Sequence, residues 1–201
     1  MAIGTYEELV QAVLRWSQRP DFRQRAEDAI PLAEAKINRR LRCREMETTL
    51  GTFTISGQYV TLPSNFGGVK AFELTGPPKV ALEFRPNDQM ATEYDTGTDK
   101  PRFFNVHGSE FRFAPTPDST YSARLVYYRT LPPMTTGGSP NWLLASHPDA
   151  YVYGTLAELY DFAGDQEAAE RCAQRMDAVL SEVRTQSNRD RLGPGLTMRP
   201  A

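Results

Sequence analysis

The chain has 201 residues, of which 40% are hydrophobic and 24% are charged, and its formal net charge is -2. This composition predicts a globular protein of one domain, or of one domain with an added lobe, and excludes a wholly disordered chain. The near-neutral charge argues against binding driven by nucleic-acid phosphates. Residues 1–13 lack the regions of a signal peptide and no long apolar run follows, so we expect a soluble protein made in the cytoplasm.

Two helices are predicted at the N-terminus. Thr5 and Glu8 have the spacing of a capping box, and apolar residues then recur at helical intervals to about residue 18. A second apolar stripe begins near Ile30. With Asp28 as its N-cap, Pro31 falls in the first turn, where its missing N–H would have no helical partner. The arginines of "RRLRCR" suit the negative end of this second helix.

From about residue 46 the apolar period changes to two. Short segments bounded by Pro and Gly predict strands as far as about residue 134, with a hairpin turn in "VHGSEF" and a helical turn at "NDQMATEY". The sequence therefore predicts an antiparallel β region inserted between helices.

Two further helices follow the β region. The first begins after "SHPD" and is apolar on more than one face, which predicts burial on more than one side. Gly164 then suits a C-cap and Asp165 the next N-cap, so the last helix starts at once. The remaining "NRDRLGPGLTMRPA" contains two prolines and two glycines and predicts an extended end.

The fold class that follows is α+β. Its parts are a four-helix core formed by residues 1–45 and 141–188, an inserted antiparallel β-rich lobe at 46–140, and an extended C-terminal tail at 189–201.

Ser146, His147 and Asp149 stand close together and raise the question of a catalytic triad. Such triads are assembled from residues distant in sequence, and a helix start explains these residues locally: Ser146 or His147 as the cap, Pro148 in an early position and Asp149 facing the helix dipole. His107, in the predicted hairpin turn, has no partner at a metal-ligand spacing. We therefore expect no catalytic residue.

The other chemical candidates are equally well explained by structure. Glu158, Asp161 and Asp165 form an acidic group without further ligands, which is typical of a solvated helix face. Cys43 and Cys172 both lie in helical patterns and are expected to be reduced core thiols. "FGGVK" lacks the length and ending of a phosphate loop. We predict no cofactor and no metal.

Two features are typical of a binding surface. The basic run at residues 39–44 is either a helix end or a contact with DNA or with another subunit. The β region is rich in aromatic side chains that would bury large areas against a core or a partner. They are Phe103, Phe104, Phe111, Phe113, Tyr127 and Tyr128.

Four segments, in the same order, resemble a known family. They are "IPLAEAKINRRLRCREMETT", "YVTLPSNFGGVKAFEL", "PRFFNVHGSEFRFAPTPDSTYSARLVYYRTLPPM" and "NWLLASHPDAYVYGTLAEL". Together with the "MRP" ending they resemble the head-to-tail adaptor proteins of the tailed-phage neck, related to the tail tubular protein A group. The resemblance covers residues from about 5 to 199. One departure is the inward position of Pro31, which puts the start of the second helix in doubt.

The resemblance implies a virion structural protein without enzymatic activity. It implies a ring, commonly a dodecamer, that is assembled in the host cytoplasm and docked between the portal protein and the tail tube or nozzle protein. DNA would pass through the lumen of the ring without sequence-specific binding, and no membrane would be involved.

The resemblance also implies that the C-terminal tail reaches the portal. The anchors would be Leu192, Leu196, Met198 and Arg199, the alternative being a frayed terminus without a role. The residues expected at the subunit interface are Arg39, Arg40, Arg42, Tyr151 and Tyr153, although a core role for the two tyrosines is an equal alternative. A competing function is a tail binding module whose β lobe recognises a carbohydrate or another tail protein through exposed aromatic residues.

Overall fold

The computed structural model describes residues 3–94 and 97–192. Within these residues the chain forms two compact units, a helical unit of residues 3–45 and 131–192 and a β unit of residues 46–94 and 97–130. The described helices are α1 Tyr6–Ser17, α2 Arg23–Arg40, α3 Asn87–Gln89, α4 Trp142–Ser146, α5 Pro148–Ala163 and α6 Gln166–Leu192, with short 3-10 turns at Pro20–Phe22 and Arg44–Met46 and a π turn at Met90–Tyr94.

Helix α1 begins where the capping-box spacing predicts. The Thr5 hydroxyl accepts a hydrogen bond from the Glu8 amide at 3.2 Å, and the Glu8 carboxylate accepts one from the amide of Gly4 at 2.8 Å. The apolar stripe of this helix is buried. The sequence prediction is confirmed here because capping and periodicity are both local properties.

Helix α2 starts earlier than predicted. It begins at Arg23, directly after the 3-10 turn at Pro20–Phe22, so Asp28 is not its N-cap and Pro31 lies inside the helix. A proline in a helix interior removes a backbone hydrogen bond and costs about 3 kcal/mol. Packing offsets this cost. Ala26, which precedes the expected N-cap at Asp28, is buried, and so are Ala29 and Ile30, which follow it.

Helix α5 lies at the centre of the helical unit and packs against α1, α2, α4 and α6. Its buried residues cover more than one face, as the sequence predicts. Gly164 ends it at a φ of 80°, in the left-handed region that favours glycine. The Asp165 carboxylate then accepts a hydrogen bond from the amide of Ala168 at 3.0 Å and caps α6. The predicted C-cap of α5 at Gly164 and N-cap of α6 at Asp165 are confirmed.

The β unit contains two four-stranded sheets and one short pair. The strands are β1 Glu47–Ile55, β2 Tyr59–Thr61, β3 Phe66–Leu74, β4 Val80–Ala81, β5 Glu83–Phe84, β6 Thr98–Asp99, β7 Phe103–His107, β8 Glu110–Ala114, β9 Thr116–Pro117 and β10 Tyr121–Arg129. The first sheet has the order β1-β10-β3-β4 and is antiparallel. The second has the order β2-β8-β7-β5, in which β7 and β8 form the predicted hairpin. Residues 56–58 connect β1 of the first sheet to β2 of the second.

The core of the β unit is aromatic. Phe72 contacts the rings of Phe53, Phe104, Phe111 and Phe113 at centroid separations of 5.2–5.6 Å. Close strand packing also requires a glycine at residue 67, because a Cβ there would lie 2.9 Å from the carbonyl oxygen of Tyr128. The aromatic residues thus join the two sheets.

The observed architecture confirms the α+β class, with helices and antiparallel sheets. Two predicted boundaries differ. Residues from Leu131 onward belong to the helical unit, where the sequence placed the change at 141, and α6 continues to Leu192, where the sequence predicted an extended tail from Arg189. The described part of α6 contains no Gly or Pro, so nothing in it ends the helix. None of the described helices combines the length and apolarity of a membrane span.

Candidate functional site

The residues around His147 form a helix start. Asn141 caps α4 by accepting a hydrogen bond from the Leu144 amide at 3.0 Å. His147 is the N-cap of α5 but its side chain makes no capping hydrogen bond, and neither does Ser146; Pro148 occupies the first helical position. The predicted side-chain cap is therefore replaced by Pro148 and by the hydrogen bond from the Ala150 amide to the carbonyl oxygen of His147 at 3.2 Å.

The other histidine has an equally structural setting. His107 ends β7, is exposed, and its ring lies 6.2 Å from that of Tyr59. The three acidic residues considered as a group contact separate partners. Glu158 forms an ion pair with Lys36, the Asp161 carboxylate accepts a hydrogen bond from the Gln166 side-chain amide at 2.9 Å, and Asp165 caps α6. Among the described residues no group of side chains is arranged to hold a metal ion.

The two cysteines differ in their positions. Cys43 is fully buried but lies beyond the end of α2, so its placement inside a helical pattern was wrong. Cys172 lies on α6 and is partly buried. Burial raises the pKa of the Cys172 thiol, which makes it a weak nucleophile.

The basic run at the end of α2 is divided between structural and exposed roles. Arg40 forms an ion pair with Asp177 of α6. The Arg44 guanidinium forms another with the Asp190 carboxylate of the same helix, at a nitrogen–oxygen distance of 3.4 Å. The Arg44 amide also donates to the buried Ser187 hydroxyl at 2.7 Å, which fixes the chain after α2 against α6. Arg39 and Arg42 are exposed.

Tyr151 lies in the core, which is the second of the two roles considered for it. Its side chain has no exposed surface, and its hydroxyl donates to the Glu34 carboxylate at 3.1 Å and accepts from the Asn141 amide at 2.5 Å. Glu34 also accepts a hydrogen bond from the Met134 amide at 2.8 Å. We call Glu34, Tyr151 and Asn141 the Glu34 network.

Burial decides the electrostatics of this network. It raises the pKa of Glu34 above the usual carboxyl value, and the hydrogen bonds from Met134 and Tyr151 oppose the rise. Burial, with the nearby Glu34 carboxylate, also raises the pKa of Tyr151. The network binds the chain returning from the β unit to helices α2 and α5, so its role is structural.

Tyr153 lies at the surface of the helical unit beside a side chain that the sequence analysis missed. Trp16 is 52% exposed and its ring meets that of Tyr153 edge-on at 5.8 Å, while the Arg175 guanidinium lies 5.5 Å from the Tyr153 ring. A groove of about 240 Å³ runs beside them, which we call the Trp16 groove. Its lining residues are Trp16, Tyr153, Leu156, Tyr160, Ala168, Arg171, Cys172 and Arg175.

The composition of the Trp16 groove is that of a protein interface. Trp, Tyr and Arg are enriched among the residues that contribute most to binding. The sequence contained no signal for it, because helical periodicity places Trp16 on the same face of α1 as the buried Leu9 and Val13. The contacts of Tyr153 with Trp16 and with Arg175 required the tertiary structure.

Four of the six aromatic side chains that the sequence analysis singled out in the β unit are unavailable for ligand binding, whereas Tyr59 and Phe84 of the same unit are exposed. Phe104, Phe111, Phe113 and Tyr127 are at most 4% exposed, while Phe103 and Tyr128 are partly buried. A carbohydrate-binding lobe needs exposed rings, whereas an adaptor lobe can bury them. Burial therefore favours the adaptor interpretation.

Of the four tail residues, only Leu192 lies within the described residues, at the end of α6; Leu196, Met198 and Arg199 lie outside them.

Comparison with known proteins identifies a family that the chain matches. A family model described as SU10 adaptor protein matches residues 4–199, which is nearly the whole chain. No curated protein matches the chain. The match includes both units and the residues beyond α6.

Proposed function

Because this chain belongs to the SU10 adaptor protein family, whose members are phage head-to-tail adaptors, we propose that it forms a ring between the portal and the tail of the virion. The family itself makes the chain a structural phage adaptor of the virion neck. The observation that carries the proposal is the match over residues 4–199. A relation to the tail tubular protein A group stays a prediction.

A ring requires heterologous contacts, in which each subunit presents two different surfaces and the rotation closes. The Trp16 groove supplies one surface of suitable composition. Of the residues expected at this interface, Tyr153 lines the groove and Arg39 and Arg42 are exposed at the end of α2, whereas Arg40 already pairs with Asp177. We place Tyr153, Arg39 and Arg42 at the contacts between subunits.

The C-terminal residues are proposed to dock on the portal, with Leu192, Leu196, Met198 and Arg199 as the anchors. The glycines and prolines of residues 193–201 suit an extended path into partner grooves. Subunits would stay separate until the portal orders their tails, so that the portal acts as the template of the ring. The opposite side of the ring would bind the tail tube or nozzle protein.

DNA would pass through the lumen of this ring. The net charge of -2 gives no general attraction for phosphates, which fits passage without sequence-specific binding. The proposed mechanism is assembly, and no catalytic step is part of it.

Light scattering tests this function. The mass of the purified protein is measured alone and after mixing with the portal protein of the same phage. A shortened variant should end at Leu192, because an end at Ser187 would remove Asp190, which pairs with Arg44 and helps to hold the last turns of α6. In the full-length chain, Leu196→Ser with Met198→Ser tests the anchors, and Thr197→Ser is the matched control.

Each result decides one part of the proposal. Binding by the full-length protein and the Thr197→Ser variant, but not by the shortened or doubly substituted variants, supports both the ring and the docking role of the tail. Binding by all four proteins rejects the role of the tail. If none binds the portal, the proposed function is wrong.

A further inference from the structure

The first sheet of the β unit lacks a strand on one side of β3. β4 pairs with β3 only at Glu73 and Leu74, with one more hydrogen bond from the Leu82 amide to the carbonyl oxygen of Phe72. From Phe66 to Ala71, β3 pairs with β10 on one side, with two irregularities in register, between Val126 and Tyr127 and between Tyr128 and Arg129, and the described residues place no strand on its other side. This stretch is a free sheet edge that can accept a strand from another chain.

An apolar groove follows this free edge. It measures about 360 Å³, and we call it the β3 groove. One wall is the edge of β3 from Gly68 to Phe72, and the other consists of Leu82, Phe84, Phe104 and Val106. Phe84 and Val106 are 58% and 40% exposed although they lie on the same face of their sheet as the buried Phe104. The inner face of the second sheet is therefore uncovered where the first sheet lacks its strand.

In the part of the chain that the structure describes, the first sheet has a second free edge, on β1. This strand is the terminal member of the order β1-β10-β3-β4, and its residues 48–54 carry no charge and no proline. Natural proteins usually protect such edges with charges, prolines or bulges, and β1 has one irregularity in register between Leu50 and Phe53. The stretch before it, Glu47 to Leu50, remains regular.

Leu50 of β1 lies on the same face of the first sheet as Phe72 of β3. It pairs with Leu125 across the sheet, and Leu125 pairs with Phe72, so all three point to the inner face. Leu50 is nevertheless 36% exposed, because the described residues place no strand on the outer side of β1 to cover it. A strand added to β3 points its inner-face residues into the β3 groove, since side chains alternate between faces.

We infer that β1 of one subunit adds to the free edge of β3 in a second copy of the chain and inserts Leu50 into the β3 groove. This inference rests on the proposed ring and names one of its contacts. The contact is heterologous, because it joins different edges of the same sheet, and its repetition around the ring uses both edges of every subunit.

The small size of this contact agrees with assembly on a template. Specific stable interfaces bury about 1,200–2,000 Å² in total, and a contact made by the four residues Glu47 to Leu50 does not reach this area. Two free subunits would therefore separate readily. In a closed ring each subunit makes the contact twice, and the surfaces of the helical unit add to it.

The charges near the two edges do not oppose the pairing. Lys70 of β3 pairs with Glu47 of β1 within the same subunit at 2.5 Å. Thr48, Thr49 and Leu50 of the arriving strand are neutral. The pairing therefore buries no additional unpaired charge.

Cross-linking tests the inference. Leu50→Cys and Phe84→Cys are combined in one chain with Cys172→Ser, while Cys43 stays because it is fully buried. A short bis-maleimide is added to the protein alone and to its mixture with the portal. The matched control replaces Leu50→Cys by Thr49→Cys, because Thr49 is exposed and points to the opposite face of β1. Circular dichroism shows whether each variant is folded.

The expected result, in the mixture with the portal, is a ladder of dimers and larger species from the Leu50→Cys protein, at least fivefold more abundant than from the Thr49→Cys protein. A link within one chain would leave the mass of a monomer, so the ladder reports contacts between copies. Absence of the ladder from folded protein, or equal ladders from both variants, overturns the inference. The mass of the complex with the portal separately decides the proposed function, so the two failures are distinguishable.

Discussion

Replacing Glu34 by alanine is expected to destabilise the helical unit by about 2–4 kcal/mol. One carboxylate oxygen of Glu34 accepts hydrogen bonds from the Met134 amide at 2.8 Å and from the Tyr151 hydroxyl at 3.1 Å, and the side chain is only 6% exposed. Each buried donor that loses its acceptor costs roughly 1–3 kcal/mol, and removal of a buried carboxylate offsets part of the total.

Glu34→Gln is the matched variant. Its single side-chain oxygen can accept both hydrogen bonds, because the native contacts go to one oxygen of the carboxylate. We expect it to change the free energy of unfolding by less than about 1 kcal/mol at neutral pH. The comparison separates the loss of an acceptor from the loss of a charge.

The two proteins should also differ in their response to pH. Burial raises the pKa of Glu34, so the native state binds this proton more tightly than the unfolded state does. The stabilising contribution is then complete below the unfolded pKa of about 4.3 and is lost as the pH rises through the folded value. Relative to Glu34→Gln, the native protein should become less stable across this interval.

Urea unfolding followed by far-UV circular dichroism, at several pH values on both sides of the unfolded carboxyl pKa, measures these differences. A loss in Glu34→Ala below about 0.5 kcal/mol, which is the scatter of surface substitutions, would contradict the structural role of the network. Equal losses in the alanine and glutamine variants would contradict the role of the shared acceptor.

Three further predictions concern the β unit and the histidines. Gly67→Ala should lower the free energy of unfolding by about 1–3 kcal/mol, because its Cβ would lie 2.9 Å from the carbonyl oxygen of Tyr128. Gly51→Ala, whose Cβ would have no atom within 4 Å, should lower it less in the same urea titration. Phe111→Ala should lower the free energy of unfolding by about 3–5 kcal/mol and should therefore lower the thermal midpoint. Phe84→Ala, at a 58% exposed site, should change the midpoint little. Similar midpoints for the two variants would argue against the aromatic core. His107→Ala with His147→Ala should leave portal binding unchanged in light scattering, and lost binding by folded protein would place a histidine in the function.

Structural features that depend only on neighbouring residues could be predicted from the sequence alone. Thr5 and Glu8 fix the start of α1 through hydrogen bonds four or fewer residues apart, and Gly164 ends α5 because few other residues adopt its positive φ. The change from helical to alternating periodicity near residue 46 likewise identified the insertion of strands between helices. These signals were sufficient for the α+β class.

Long-range packing determined the features that local sequence patterns predicted wrongly. Pro31 looked like a first-turn residue, but burial of Ala26 and Ala29 extends α2 toward its N-terminus and offsets the lost hydrogen bond. The sequence placed residues 131–140 in the β-rich lobe, yet Glu34 and Asn38 accept hydrogen bonds from the amides of Met134 and Leu131 and join them to the helical unit. These partners are about a hundred positions apart, so no local pattern contains them.

The interaction surfaces depended most on the tertiary structure. Tyr151 and Tyr153 are two positions apart, so the helix turns them by about 200° and the first enters the core while the second meets Trp16 at the surface. Leu50, Phe84 and Val106 are ordinary strand residues in the sequence. Only the strand order shows that β3 lacks a neighbour and leaves them exposed, because pairing between distant strands is set by the packing of the whole unit.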